Sequence, residues 1–188
     1  VDSLKVEGRG KSEYYAAVVA RAYRMAIDDY FADPENWDPK PYMRELESVG
    51  NRGYTLAFHE GRLTNYAHDY EHTAPIAQWE YAGVVTEVTE DAFLIEAKNK
   101  LEAGDVMEFV SPSSRETVLL RVYDFERADN GKRLNVVHGG TKTTIRLPYA
   151  LFDHEDVEDL KARFPVYSVM RKERPLTEEQ WARIRFDK

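Results

Sequence analysis

The sequence contains no cysteine. That excludes disulfides, a thiolate nucleophile, cysteine-ligated zinc and a cysteine-held iron–sulfur cluster within this chain. It also lacks any apolar run near the ~18 residues that span a bilayer. No membrane partner is therefore expected. A Lys/Arg-plus-apolar leader is missing as well, and a cytoplasmic location is the expectation. Positive charge is scarce: 26 Lys and Arg stand against 34 Asp and Glu, for a net charge of -8. This argues against nucleic-acid binding by bulk charge, though not by a local patch. Residues 1–25 hold such a patch, with Lys5, Arg9, Lys11, Arg21 and Arg24 against Asp2, Glu7 and Glu13. Neither a Gly-x-Ser-x-Gly elbow nor a phosphate-binding P-loop is present. Without cysteine, a nucleophilic protease would need Ser or Thr. Ser111, Ser113 and Ser114 lie in a polar loop and read as turn residues.

What is present is a foldable chain, 43% hydrophobic and 32% charged, enough for a real core. Residues 2–7 alternate like a short strand, "GRG" reads as a turn, and Ser12 caps a helix running to about Phe31. That helix carries an apolar stripe of Tyr15, Val18, Val19, Ala22, Ala26, Ile27 and Tyr30. Prolines interrupt "ADPENWDPKP", and Asp38 then caps a short helix with Pro39 at its start. The stretch "NRGYTLAFHEGRLTNYAHDYEHTAP" has no clear period and is long for a loop. From Trp79 the rhythm changes to six short strands, "WEYAGVVTEV", "AFLIEAKN", "VMEFV", "TVLLRVYDF", "RLNVV" and "TKTTIRL". They predict a small antiparallel barrel or sandwich, with a type I′ hairpin at Asn130-Gly131. Beyond Pro148, helical patterning returns, with Asp153 as a cap and Val157, Leu160 and Phe164 as a stripe. "PVYSVMRKERP" reads as extended. Thr177 and Gln180 stand at capping-box spacing.

Several residues invite a functional reading beside a structural one. Lys11 and Tyr14 open the first helix, whose free N–H groups can meet an anion; alternatively, Tyr15 is core and Tyr14 half-exposed. Asn51 and Arg52, with Gly53 and Tyr54, can form a second wall; alternatively, Arg52 serves the end of the preceding helix. His68 and His72 are four apart, a zinc-like spacing if helical, but no third ligand is evident and no metal is expected. In the strand-rich part stand Tyr81, Phe93, Phe109 and Tyr123, about half of which strand alternation would bury. Lys98, Lys100, Arg115, Arg121, Lys132, Arg133, Lys142 and Arg146 are scattered among many acids there, so core packing and ordinary solvation explain both sets, beside an RNA-binding face of the kind small β-barrels form.

The succession "SLKVEGRGKSEYYAAVVARAYRMAID", "NRGYTLAF" and "GVV…KNKLEAGDVMEF" resembles the collagenase-like peptidases of peptidase family U32. The likeness covers roughly residues 2–148. Gly10 stands where the family usually has Met, and Glu13 where it usually has Pro. The hairpin "NKLEAGD" is similar to the family's small C-terminal β-barrel, itself like those of translation factors. The resemblance implies a longer parent whose upstream part is a barrel of alternating strands and helices, which needs about 250 residues. Any iron–sulfur cluster would be held there, and this chain is expected to hold no cofactor. Family members are similar to RNA hydroxylases, one of which forms 5-hydroxyuridine in tRNA with prephenate. Others resemble ubiquinone-ring hydroxylation factors, and the family name itself denotes proteolysis.

If residues 2–7 are a late strand of such a barrel, its end faces the active-site mouth. Lys5 and Arg9 then hold a carboxylate or phosphate, and Glu7 orients a cation or acts as a base. The bland alternative is an exposed strand with a local ion pair. The expectation is an α+β chain in three parts. Residues 1–78 are the remnant of a catalytic domain plus connector, 79–148 a small antiparallel β-barrel, and 149–188 a helical tail. Glu7, Arg9 and Lys5 are the expected catalytic residues, and Lys11, Tyr14, Asn51 and Arg52 the substrate-binding ones. The parent is expected to be an enzyme, with tRNA or another RNA and the upstream polypeptide as partners, while the isolated chain is inactive. A peptidase fragment and a non-catalytic binding barrel are the alternatives.

Overall fold

The computed structural model describes residues 2–51, 54–55, 57–62 and 75–184. They fall into two compact units. The first comprises the described residues up to Gln78 and those from Arg174 onward; the second is Trp79–Glu173.

In the first unit, α1 (Glu13–Ala32) starts where Ser12 accepts a hydrogen bond from the Tyr15 amide, satisfying one of the helix's orphan donors. It stops before Asp33-Pro34, because the residue ahead of proline is pushed out of the helical region. The buried face is Tyr14, Val18, Val19, Arg21 and Ala22. It is rotated toward Tyr14 relative to the stripe read from the sequence, since Arg21 turns inward to pair with Glu45 at 3.1 Å. Glu45 lies on α2 (Lys40–Glu47), where Asp38 accepts from the Lys40 amide as expected. Trp37 pins the proline-rich link between these helices. Its indole stacks on Tyr42 at 5.8 Å and donates to the Ala26 carbonyl at 3.0 Å. The capping box is also realised, with Thr177 and Gln180 exchanging hydrogen bonds at the start of α4 (Glu178–Ile184).

Residues 2–7 do not form the expected strand. Alternation alone does not make one; a strand needs a neighbour's backbone groups. Among the described residues, no backbone hydrogen bond reaches this stretch.

The second unit is a curled antiparallel sheet, a half-barrel. Its strands are β1 (Trp79–Val88), β2 (Ala92–Ala97), β3 (Leu101–Glu102), β4 (Val106–Val110), β5 (Thr117–Arg121), β6 (Phe125–Arg127), β7 (Arg133–Leu134), β8 (Val136–Val137), β9 (Thr144–Pro148) and β10 (Val169–Glu173). Eight of them run in the order β5-β4-β10-β1-β2-β9-β6-β7, and β3 pairs with β8. The "PVYSVMRKERP" stretch thus supplies β10, inserted between β1 and β4.

Residues beyond Pro148 also fill the sheet's interior. The Phe93 and Phe109 rings meet Phe152 edge-on at 5.5 and 5.2 Å, and both also meet Phe164. All four rings are buried, each worth about 1.5–3 kcal/mol. Phe164 follows α3 (Val157–Arg163), whose cap is Asp156, accepting from the Glu158 and Asp159 amides. Asp153 is not the cap, because it lies outside the single turn over which a capping side chain can reach.

The β6–β7 hairpin is present, but its turn is not type I′, which needs positive φ at both central residues. Gly131 has φ +68°, while Asn130 is not left-handed. The Gly131 amide donates instead to the Arg127 carbonyl, and the loop spans residues 128–131.

Candidate functional site

Within the first unit, the chain ahead of α1 folds back at Gly8–Lys11, where the Lys11 amide donates to the Gly8 carbonyl at 2.9 Å. Gly8 lies against the Tyr15 ring, which a Cβ would meet at 3.4 Å. The Lys11 ammonium sits 5.3 Å from the centroid of the same ring, a cation–π placement. It also donates to the Gly50 carbonyl at 3.3 Å. The turn before α1 is thereby brought to the turn after α2, next to Asn51.

Lys5 and Glu7 form an ion pair at 2.8 Å, with both side chains largely in solvent. Arg9 is exposed as well. This exposed stretch thus carries the cations Lys5, Arg9 and Lys11 together with the carboxylates Asp2, Glu7 and Glu13. Such a set can hold an anionic group through charge-assisted hydrogen bonds, with Glu7 available to orient a cation or accept a proton.

Two of the expected binding residues, Tyr14 and Asn51, make contacts within this unit. Tyr14 is only 4% exposed, in the core face of α1, while Tyr15 is the half-exposed member of the pair. The Asn51 amide group donates to the Glu47 and Val49 carbonyls, and its backbone bridges to Ile76. Tyr54 also looks inward. Its hydroxyl donates to the Leu46 carbonyl at 2.5 Å, and burial pushes the phenol well above its usual range, reinforced by Tyr15, Glu47 and Tyr23. Arg52, Gly53, His68 and His72 lie outside the described residues. Among the described residues, no group of three or more His, Asp or Glu is placed to hold a metal ion. No helix among them is long and apolar enough to cross a membrane.

In the second unit, most of the basic residues singled out from the sequence have local partners. Lys98 pairs with Glu96 at 3.1 Å, Lys100 with Glu102 at 2.8 Å, Arg133 with Asp124 at 3.2 Å, and Arg146 with Asp91. Arg121 donates to the Gly104 carbonyl. Of the four aromatics, Phe93 and Phe109 are core and only Tyr123 projects fully. Ser111 is buried and its hydroxyl accepts from the Ser113 and Ser114 amides. It is a turn residue, as expected.

The "NKLEAGD" residues prove to be structural. Asn99 donates to the Tyr81 carbonyl. Asp105 accepts from the Glu102 amide and from Lys172 at 3.0 Å. Sequence reading missed Gly139, against which this segment packs: a Cβ there would lie 2.3 Å from the Lys98 carbonyl carbon and oxygen. No local signal marks that glycine, because its neighbour is about forty residues away in the chain.

Two family models match in succession. Peptidase family U32 matches residues 1–69, and the peptidase family U32 C-terminal domain matches residues 77–158. Among curated proteins, tRNA hydroxylation protein P of Helicobacter pylori is 28% identical over 166 residues, covering 80% of this chain and 39% of that protein. tRNA hydroxylation protein P1 of Bacillus subtilis is 36% identical over 115 residues, covering 60% and 27%. tRNA hydroxylation protein P of Escherichia coli is 38% identical over 122 residues, covering 60% and 25%. The chain thus spans between 25% and 39% of the length of these relatives.

Proposed function

Because the chain belongs to peptidase family U32, matching its two domain models in tandem, we propose that it contributes to tRNA hydroxylation, on uridine, within a longer protein. The observation that carries this reading is the shared naming of its relatives for tRNA hydroxylation, with one of them aligned over 80% of the chain. The geometry is compatible with it. Lys5, Arg9 and Lys11 are exposed cations in the stretch ahead of α1, suited to an anionic group of the substrate, and Glu7 is an exposed carboxylate paired with Lys5. In this reading the chain supplies part of one wall of a site and is inactive alone. Any iron–sulfur cluster of the longer protein takes its thiolates from outside this sequence, which has none to offer. Proteolysis, which the family name suggests, finds no support in Ser111, whose hydroxyl is buried and engaged in its own turn.

The test is nucleoside analysis of tRNA by mass spectrometry in cells whose longer protein carries Glu7→Ala or Arg9→Ala. The expected result is loss of hydroxylated uridine with an unchanged melting temperature. Normal hydroxylation in both variants would overturn the site. Cleavage of gelatin or casein by the purified chain would overturn the reading in favour of proteolysis.

A further inference from the structure

The end of α1 and the link to α2 carry four aromatic rings in series, running from the interior to solvent. Tyr42 is buried, at 8% exposure. The half-buried Trp37 ring stacks on it at 5.8 Å. Tyr30 meets Trp37 edge-on at 5.8 Å, and Phe31 meets Tyr30 edge-on at 5.9 Å. Exposure rises to 48% at Tyr30 and 78% at Phe31. The two inner rings are fixed by hydrogen bonds, Trp37 donating to the Ala26 carbonyl and Tyr42 to Asp29. Phe31 and Tyr30 therefore stand in solvent on a braced aromatic base. Exposed apolar surface held in this way marks a contact surface.

The same corner is acidic. Residues 28–38, "DDYFADPENWD", hold five carboxylates and no Lys or Arg. Arg24 pairs with Asp28, and Asp29 accepts from Tyr42. Asp33, Glu35 and Asp38 are exposed, and none of the three pairs with a cation among the described residues. Asp33 and Asp38 accept instead from the neutral amides of Asn36 and Lys40. The corner lies at the far end of α1 from Lys5, Arg9 and Lys11, about 30 Å along a 20-residue helix.

We propose that this corner docks a basic segment of a separate partner protein, with an arginine of the partner over the Phe31 and Tyr30 rings and its neighbouring cations on Asp33, Glu35 and Asp38. Charge complementarity selects this occupant. Uncompensated carboxylates repel the phosphates of a nucleic acid. A second copy packed corner to corner sets like charges against each other, which costs affinity. A wholly apolar segment leaves three carboxylates desolvated and unpaired. A guanidinium satisfies both features, since it lies over aromatic faces and makes paired hydrogen bonds to carboxylates. Interfaces gather these residue types, aromatic rings and arginine, at their centres.

The test is fluorescence anisotropy of a labelled short peptide of Arg, Leu and Ala, titrated with the chain and with the longer protein. The comparison peptide carries Glu in place of every Arg. The Arg peptide is expected to bind both proteins and the Glu peptide neither. Phe31→Ala, and separately the double variant Asp33→Asn/Glu35→Gln, should each weaken binding about tenfold or more, the effect of losing an anchor. Both should keep the parent melting temperature, because the altered side chains are exposed. Glu87→Gln/Glu90→Gln takes the same charge from exposed positions of the second unit and should leave binding within twofold. Failure of the Arg peptide to bind, equal binding of the two peptides, or equal weakening by the two charge variants would overturn the proposal. If the chain binds the peptide and the longer protein does not, the rest of that protein covers the corner and the proposal is wrong. It is equally wrong if Phe31→Ala abolishes self-association in sedimentation, or if an unmodified tRNA transcript competes for the corner and loses affinity in Phe31→Ala.

Discussion

The Lys11 ammonium donates to the Gly50 carbonyl at 3.3 Å, across 39 residues of sequence. This hydrogen bond joins the turn before α1 to the turn after α2 and fixes the Lys11 end of the exposed charged stretch. It is solvent-exposed, so its energetic share is small while its positional effect is not.

Lys11→Ala is therefore expected to lower stability by no more than about 1 kcal/mol in urea unfolding, while reducing tRNA hydroxylation by the longer protein. A loss of several kcal/mol would show that Lys11 is scaffold and would remove it from the site.

Gly139→Ala is expected to be severely destabilising, because the new Cβ would lie 2.3 Å from the Lys98 backbone. Overpacking against backbone costs about 1–3 kcal/mol or more. Gly10→Ala, with nothing within 4 Å of its Cβ, should be nearly neutral. Similar denaturation midpoints for the two variants would contradict the close approach.

Glu108 and Arg171 meet at 2.5 Å inside the second unit, with Arg171 only 4% exposed and its guanidinium 4.4 Å from the Trp79 centroid. Removing one partner strands a buried charge and costs about 3–5 kcal/mol. Arg171→Met and Glu108→Leu should each destabilise by about that much, and the double variant should recover much of the loss. Strict additivity in a double-mutant cycle would show that the pair is not coupled.

Asp91 accepts hydrogen bonds from Arg146 and Thr89, and the Arg146 contact above all holds its carboxyl below the usual carboxylate range. A depressed native value means that the pair stabilises the fold above the unfolded-state value. That contribution is lost as pH falls through the native one. In an NMR titration the Asp91 midpoint should rise toward the ordinary range in Arg146→Gln. No movement would mean that Arg146 does not hold the carboxylate.

Short-range features were legible because their hydrogen-bond partners lie within one helical turn. Ser12 caps α1 and Thr177 pairs with Gln180 by rules that involve only neighbours. Alternation located the strand-rich region for the same reason. Residues 2–7 show the limit of this: their alternation is real, but no described neighbour turns it into a strand. The Lys5–Glu7 pair was legible as two charges on one face. That Tyr14 would be buried and Asn51 engaged with carbonyls was not, since both depend on how α1 and α2 pack.

The sequence by itself determined the helix starts, the strand-rich character of residues 79–148, the absence of thiol chemistry and the family likeness. The tertiary structure alone decided that β10 lies between β1 and β4 and that Phe152 and Phe164 complete the half-barrel's core. It alone decided that Tyr167 stands outward in a conformation glycine would prefer. The physical reason is sequence distance. Local hydrogen bonds and periodicity are written within a few residues, whereas the partners of Arg171 and Phe164 lie about fifty to seventy residues away, and burial selects among them only once the whole sheet has assembled.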